Sequence, residues 1–207
     1  MTDRAHWDAV YGAREEEALT WFQAEPEPSL SLIRTHAPAG EPVVDVGGGA
    51  SRLVDVLVAE GRAVTVLDLS AEALDVSRAR LGAAAGRVTW VVGDVTRWVP
   101  ERTFGVWHDR AVFHFLTEPA DRAGYFAALD RALAPDGVAV VMTFAPDGPE
   151  TCSNLPVIRY SPESLVAEAE QRRPGAFRLR HAERFVHLTP KGNEQPFQIS
   201  ILSRKDL

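Results

Sequence analysis

The run Val43-Val44-Asp45-Val46-Gly47-Gly48-Gly49-Ala50-Ser51 constrains the fold of this chain more than any other stretch. A short β-branched segment ends in an acid and then in three consecutive glycines, which destabilise a helix or strand interior and suit a tight turn. Leu53, Val54, Leu57 and Val58 then fall on one helical face, with Gly61 as a stop. A second apolar run follows, Val64-Thr65-Val66-Leu67-Asp68, and it too ends in an acid. Strand, glycine turn, helix and strand make a βαβ unit. Such a unit gathers the free N–H groups of the helix start and the acid of the second strand tip around one point, where a nucleoside can sit.

The alternation continues along the chain. Strands are expected at Pro42–Val46, Ala63–Asp68, Val88–Val92, Phe104–His108 and Val138–Phe144. Helices are expected at Ser51–Ala59, at Ala71–Leu81 capped by Ser70, and at Pro119–Leu133, where Tyr125, Phe126, Leu129 and Leu133 recur at helical spacing. Ser29 reads as the cap of a helix to about His36, and Ser161-Pro162-Glu163 opens one to about Gln171. Pro135-Asp136-Gly137 reads as a tight turn. Phe177–Leu188 and Pro196–Leu202 are strand-like and joined through Pro190-Lys191-Gly192-Asn193, which makes them an antiparallel pair. The sum is an α/β fold: a Rossmann-like, doubly wound seven-stranded sheet, mostly parallel, with a C-terminal antiparallel hairpin. Residues 1–207 read as a single domain, with 1–28 as an N-terminal lid segment and 145–160 as a possible substrate loop.

Composition narrows the class. The net charge of −7, with no run of Lys or Arg, argues against nucleic acid as a partner. The single cysteine, Cys152, excludes an internal disulfide framework and a multi-cysteine metal site, and nothing around it lowers its pKa. No apolar stretch has the length of a membrane span, and Met1-Thr2-Asp3-Arg4 lacks the pattern of a secretion signal, so a cytoplasmic location is expected.

The ligand is narrowed by what surrounds the glycines. A dinucleotide fingerprint places its third glycine where this chain has Arg52, and Asp45 would repel a pyrophosphate but suit an ammonium. Gly93-Asp94-Val95 adds an acid after the third strand. With Asp45-Val46-Gly47-Gly48-Gly49 and Leu67-Asp68-Leu69-Ser70, these residues resemble the class I S-adenosylmethionine-dependent methyltransferases over about residues 40–145. The resemblance implies S-adenosyl-L-methionine as cofactor and S-adenosyl-L-homocysteine as product. It places Asp45, Gly47, Gly48, Gly49 and His108 at the methionine end, Asp68 on the ribose hydroxyls, Leu69 against the adenine, and Asp94 with Val95 at the adenine edge.

For the transfer itself, His108, Asp109 and His114 of the Trp107–Phe115 segment are the candidate catalytic residues, as bases or acceptor orienters. No metal site is expected. Tyr11, Trp21, Phe22 and Arg110 are the candidate lid and substrate residues. The His6-Trp7-Asp8 segment, Trp21-Phe22 and the Asp109-Arg110-Ala111 step are similar to a lysine methyltransferase-like subgroup, whose Asp-Lys-Gly step is changed here to Asp-Arg-Ala. A small-molecule acceptor is the expectation, with protein lysine N-methylation as the alternative. Readings of another class are an NAD-dependent oxidoreductase and a non-catalytic nucleoside-binding module.

Overall fold

The computed structural model describes residues 4–13, 15–37 and 39–205; Met1, Thr2, Asp3, Arg14, Pro38, Asp206 and Leu207 lie outside the described residues. The central sheet has seven strands: β1 (Val43–Val46), β2 (Val64–Asp68), β3 (Val88–Val92), β4 (Phe104–Arg110), β5 (Leu133–Phe144), β8 (Phe177–Leu188) and β9 (Glu194–Arg204). Their order across the sheet is β3-β2-β1-β4-β5-β9-β8. Strands β1 to β5 pair in parallel, and β9 runs antiparallel to both β5 and β8. The chain crosses from β3 over β1 to β4, so the strand order reverses at β1. The crevice outside the carboxyl ends of β1 and β4 is therefore where such a sheet receives a ligand.

Helices α2 (Ser29–His36), α3 (Leu53–Ala59) and α4 (Ala71–Leu81) contribute Ile33, Leu57 and Leu74 to one core layer, together with Val43, Val106 and Val140. Helices α5 (Pro119–Ala132) and α6 (Pro162–Arg172) contribute Phe126, Leu129 and Leu165 to the layer on the opposite face, with Val44, Trp107 and Val141. Alternate residues of β1 (Val43 and Val44) thus serve different layers, as the pleat requires. The continuous apolar run of β1 follows from burial on both faces.

Two expectations change. Pro135-Asp136-Gly137 is not a separate turn. β5 runs through it, and a register shift between Phe104 and Val106 takes up the extra residues as a bulge that leaves Pro135 and Asp136 exposed. Ser29 does not cap α2: Pro28 holds the N-cap position, and Ser29 is the first helical residue, buried and turned toward β4. The other two caps form as read. Ser70 accepts from Ala73 N at 3.2 Å, and Ser161 makes a capping box with Ser164.

Candidate active site

The glycine turn is built differently from a bare cradle. Gly47 and Gly49 have φ of +66° and +41°. A side chain at Gly47 would overlap Val112 Cγ2; at Gly48 it would come within 2.5 Å of Asp45 Oδ2; at Gly49 it would reach 2.9 Å from the Tyr11 hydroxyl and 3.0 Å from Asp68 Oδ2. The space left by the three glycines is thus taken up by the protein's own groups. Gly47 lies on the wall of the main cavity, and Gly48 and Gly49 do not line it. Arg52, at the position of a fingerprint's third glycine, forms an ion pair with Glu16 and lays its guanidinium over the Phe22 ring.

The main cavity, about 120 Å³, opens at the carboxyl ends of β1, β2, β3 and β4. Asp68 and Leu69 after β2, and Asp94 and Val95 after β3, share its wall with Leu116 and Val112. Asp68 Oδ1 accepts from Ser70 N at 2.8 Å. Burial pushes its carboxyl up to about 7; the charge of Asp45 adds to the shift, and the amides of Ser70, Gly49 and Leu69 oppose it. Asp94 Oδ1 accepts from Thr96 N and Oγ1 at 2.9 and 2.7 Å, while Oδ2 is shielded and has no partner among the described residues.

The N-terminal segment forms the roof. Helix α1 (Arg4–Gly12) is held over the start of α4 by Ser70 Oγ, which donates to Asp8 Oδ1 at 2.6 Å. Trp7 packs edge-on against Trp21 and Phe115, and Tyr11 against Trp21. Trp7, Tyr11 and Trp21 all line the main cavity. Phe22 does not; it borders a smaller cavity of about 20 Å³ with Ser51 and Arg52. Beyond α1, Glu16 is pinned, because it pairs with both Arg52 and Arg80, and Arg80 also bonds Asp55 and the Ala50 and Ser51 carbonyls.

The three candidate catalytic residues stand off the cavity wall. Register pairs His108 with Asp45 across β1 and β4. The His108 ring is consumed by a buried chain, with Nδ1 2.7 Å from Asp45 Oδ1 and Nε2 2.8 Å from Ser29 Oγ. Asp45 Oδ2 has no partner among the described residues. Asp109, 0% exposed, points to the opposite face of β4, where it accepts from Tyr125 OH at 2.7 Å, Val112 N at 2.9 Å and Phe113 N at 3.1 Å. His114, also 0% exposed, takes the Phe144 amide on Nδ1 and packs between the Phe115 and Phe144 rings. Burial lowers its pKa to about 3, so it is neutral at ordinary pH. None of the three lines the main cavity, because strand alternation and the turn after β4 direct them into the core.

Arg110 behaves otherwise. It lies on the wall, donating from Nη2 to the Trp21 carbonyl at 2.8 Å. Sequence reasoning left out Cys152 as a wall residue. The 145–160 stretch folds into a hairpin of β6 (Thr151–Cys152) and β7 (Leu155–Pro156), with Ser153 and Asn154 at φ of 50° and 62° in the turn. That hairpin brings Cys152 to the cavity, where burial pushes its thiol up to about 12. The Ser153-Asn154 pair was the local signal for it. Among the described residues, no group of His, Cys, Asp or Glu could hold a metal ion, and no helix is long and apolar enough to cross a membrane.

Comparison with known proteins agrees with this geometry. Residues 43–137 match Methyltransf_25, a methyltransferase domain. Nodulation protein S of Rhizobium tropici is 31% identical over 94 residues, which span 45% of this chain and 39% of that protein. A solved structure concerned with conversion of a disulfide bond into a thioacetal group during echinomycin biosynthesis superposes with a TM-score of 0.76 at 22% identity, over 99% of this chain and 93% of that one. The glycopeptide N-methyltransferase MtfA complexed with S-adenosyl-L-methionine gives 0.68 at 18% identity, over 93% and 100% of the two chains. A SAM-dependent methyltransferase from Anabaena variabilis gives 0.75 at 15%, over 99% and 96%. Over residues 43–137 the chain is thus similar to a methyltransferase domain, and the sheet order and strand-tip motifs around that segment agree with the likeness.

Proposed function

We propose that this protein transfers a methyl group from S-adenosylmethionine to a small-molecule acceptor inside the main cavity. The observation that carries the reading is the pair of acids at successive strand tips, Asp68 and Asp94, sharing one wall with apolar Leu69, Val95 and Leu116. The cavity chemistry fits the cofactor. Asp94 Oδ2 and Arg110 Nη1 are shielded polar atoms that need a partner, and Asp68 is a buried carboxyl on the same wall. Asp68 would hold the ribose hydroxyls, Asp94 the adenine edge, and Leu69 and Val95 the faces of the base. When bound, the cofactor supplies an electrophilic methyl group on a sulfonium.

The remaining work falls to the chain. Trp7, Tyr11 and Trp21 exclude water and confine the acceptor, and orientation of this kind contributes roughly 7–11 kcal/mol in favourable systems. Burial raises the pKa of Tyr11 and of Cys152, so both stay protonated and neither serves as a base at neutral pH. This supports an acceptor whose reacting atom already has an available lone pair. Two structural neighbours, a glycopeptide N-methyltransferase and a structure of the disulfide-to-thioacetal conversion in echinomycin biosynthesis, support the same small-molecule class. The test is isothermal titration with S-adenosylhomocysteine, then transfer of a radiolabelled methyl group from the cofactor into cell extract separated by size. Micromolar binding and label in the small-molecule fraction are expected. Label in protein lysines would replace the acceptor class, and absence of binding would remove the function.

The Asp68 titration gives this reading a pH signature. In the free protein its carboxyl is protonated below about pH 7. Hydroxyl donors favour the ionised form, so binding releases a proton at low pH. Affinity for S-adenosylhomocysteine should rise with pH through 7 and level off above it, falling on the acid side by up to about tenfold per unit. Titration calorimetry over that range checks this, and the slope should vanish in Asp68→Asn.

A further inference from the structure

We propose that Arg110 is the carboxylate anchor of the main cavity and takes the carboxylate at the amino-acid end of S-adenosylmethionine, a reading that rests on the cofactor assignment above. Arg110 ends β4, beside the strand order reversal. It is the one cation among the described residues lining this cavity, whose other charged wall residues are Asp68 and Asp94. Its Nη2 is committed to the Trp21 carbonyl at 2.8 Å, but Nη1 is shielded from solvent and has no partner among the described residues. A guanidinium nitrogen in that state needs an acceptor, and the fork of Nη1 beside a fixed Nη2 suits a carboxylate.

Two further observations give the carboxylate its source. The Asp45 carboxylate is the strongest charge acting on Arg110, yet the two form no ion pair, and Asp45 Oδ2 is likewise shielded and unpartnered among the described residues. Asp45 does not itself line the cavity, so it acts on this end of the site through its charge, and that charge beside the open guanidinium complements a zwitterion, which an α-amino acid is and a simple carboxylate is not. Arg110 and Trp21 also form the boundary between the main cavity and the 20 Å³ cavity beside Ala50, Ser51 and Arg52. The guanidinium therefore stands at the glycine-turn end of the site. The smaller cavity has room for little more than a water, so it does not extend the site toward a second bulky ligand there.

The experiment compares two nucleosides in the intact protein: S-adenosylhomocysteine, which carries the amino-acid end, and 5′-methylthioadenosine, which lacks it. Arg110→Gln should weaken the first by roughly 10- to 100-fold, the range of a charge-assisted hydrogen bond, and leave the second within about twofold. Arg110→Lys should recover part of the loss, since it keeps the charge and loses the fork. Equal weakening of both nucleosides would mean that Arg110 only holds the roof through Trp21, and would overturn the proposal. Unchanged affinity for S-adenosylhomocysteine, with a raised KM for a carboxylate-bearing acceptor, would overturn it in favour of the acceptor's own carboxylate. Failure of the unsubstituted protein to bind either nucleoside would overturn the cofactor assignment first, and is told apart because it appears before any substitution is made.

Discussion

Asp68→Ala should abolish measurable binding of S-adenosylhomocysteine while leaving the protein folded. Two hydroxyl donors to one ionised carboxylate are worth about 1.5–3 kcal/mol each, so their loss is roughly two to four orders of magnitude in Kd. The cost to the fold is small because two effects offset each other. The amides of Ser70, Gly49 and Leu69 lose their acceptor, but a buried carboxyl whose ionisation is opposed by desolvation is also removed. Thermal melting of the free variant should therefore stay within a few degrees of the parent. Asp68→Asn keeps an acceptor for Ser70 and a weaker, neutral one for the hydroxyls, so it should lose about half of that free energy, roughly one to two orders of magnitude in Kd, and still bind measurably. Unchanged affinity in both variants, measured by calorimetry, would remove Asp68 from the site.

That prediction rests on a position that could be read without coordinates. Asp68 and Asp94 end strands whose boundaries follow from apolar runs and glycine punctuation, and the end of a parallel strand is where this architecture binds. The sheet, its helices and the terminal hairpin were legible for the same reason: each element's own period agrees with the fold. Facing direction was not. His108 looks like a site residue because it stands at the tip of strand four, yet the register against β1 places it beside Asp45 and in reach of Ser29, 79 residues away in sequence. A serine before a helix reads locally as a cap, and only tertiary packing reassigns Ser29 to His108. Glu16 shows the same limit, since its partners Arg52 and Arg80 lie far along the chain, and nothing in an Ala-Arg-Glu-Glu-Glu stretch announces an anchor. The glycines were recognisable as a turn, but their occupants (Val112, the Asp45 carboxylate and the Tyr11 hydroxyl) come from three separate segments.

Asp109→Ala should cost more stability than any other change at the strand tips. Its carboxylate is the acceptor for the Val112 and Phe113 amides and for the Tyr125 hydroxyl, which in turn accepts from Trp107 Nε1 at 2.9 Å. Alanine leaves two amides and a hydroxyl buried without an acceptor, each worth about 1–3 kcal/mol. A loss of roughly 3–6 kcal/mol is expected after local relaxation, a large share of the ~5–15 kcal/mol that holds a domain together. Urea unfolding should show a lower midpoint with an unchanged slope. Asp109→Asn separates this role from chemistry. Its amide oxygen still accepts but its NH2 cannot, so about one of the three bonds is lost and the variant folds. If Asp109 only holds the turn that carries Arg110, Ala111 and Val112 to the cavity, folded Asp109→Asn transfers methyl groups at close to the parental kcat. A folded Asn variant with parental cofactor affinity and a kcat lowered by about 100-fold or more would place this carboxylate in the proton transfer itself, and the direction of its side chain in the free protein would then have to change during turnover.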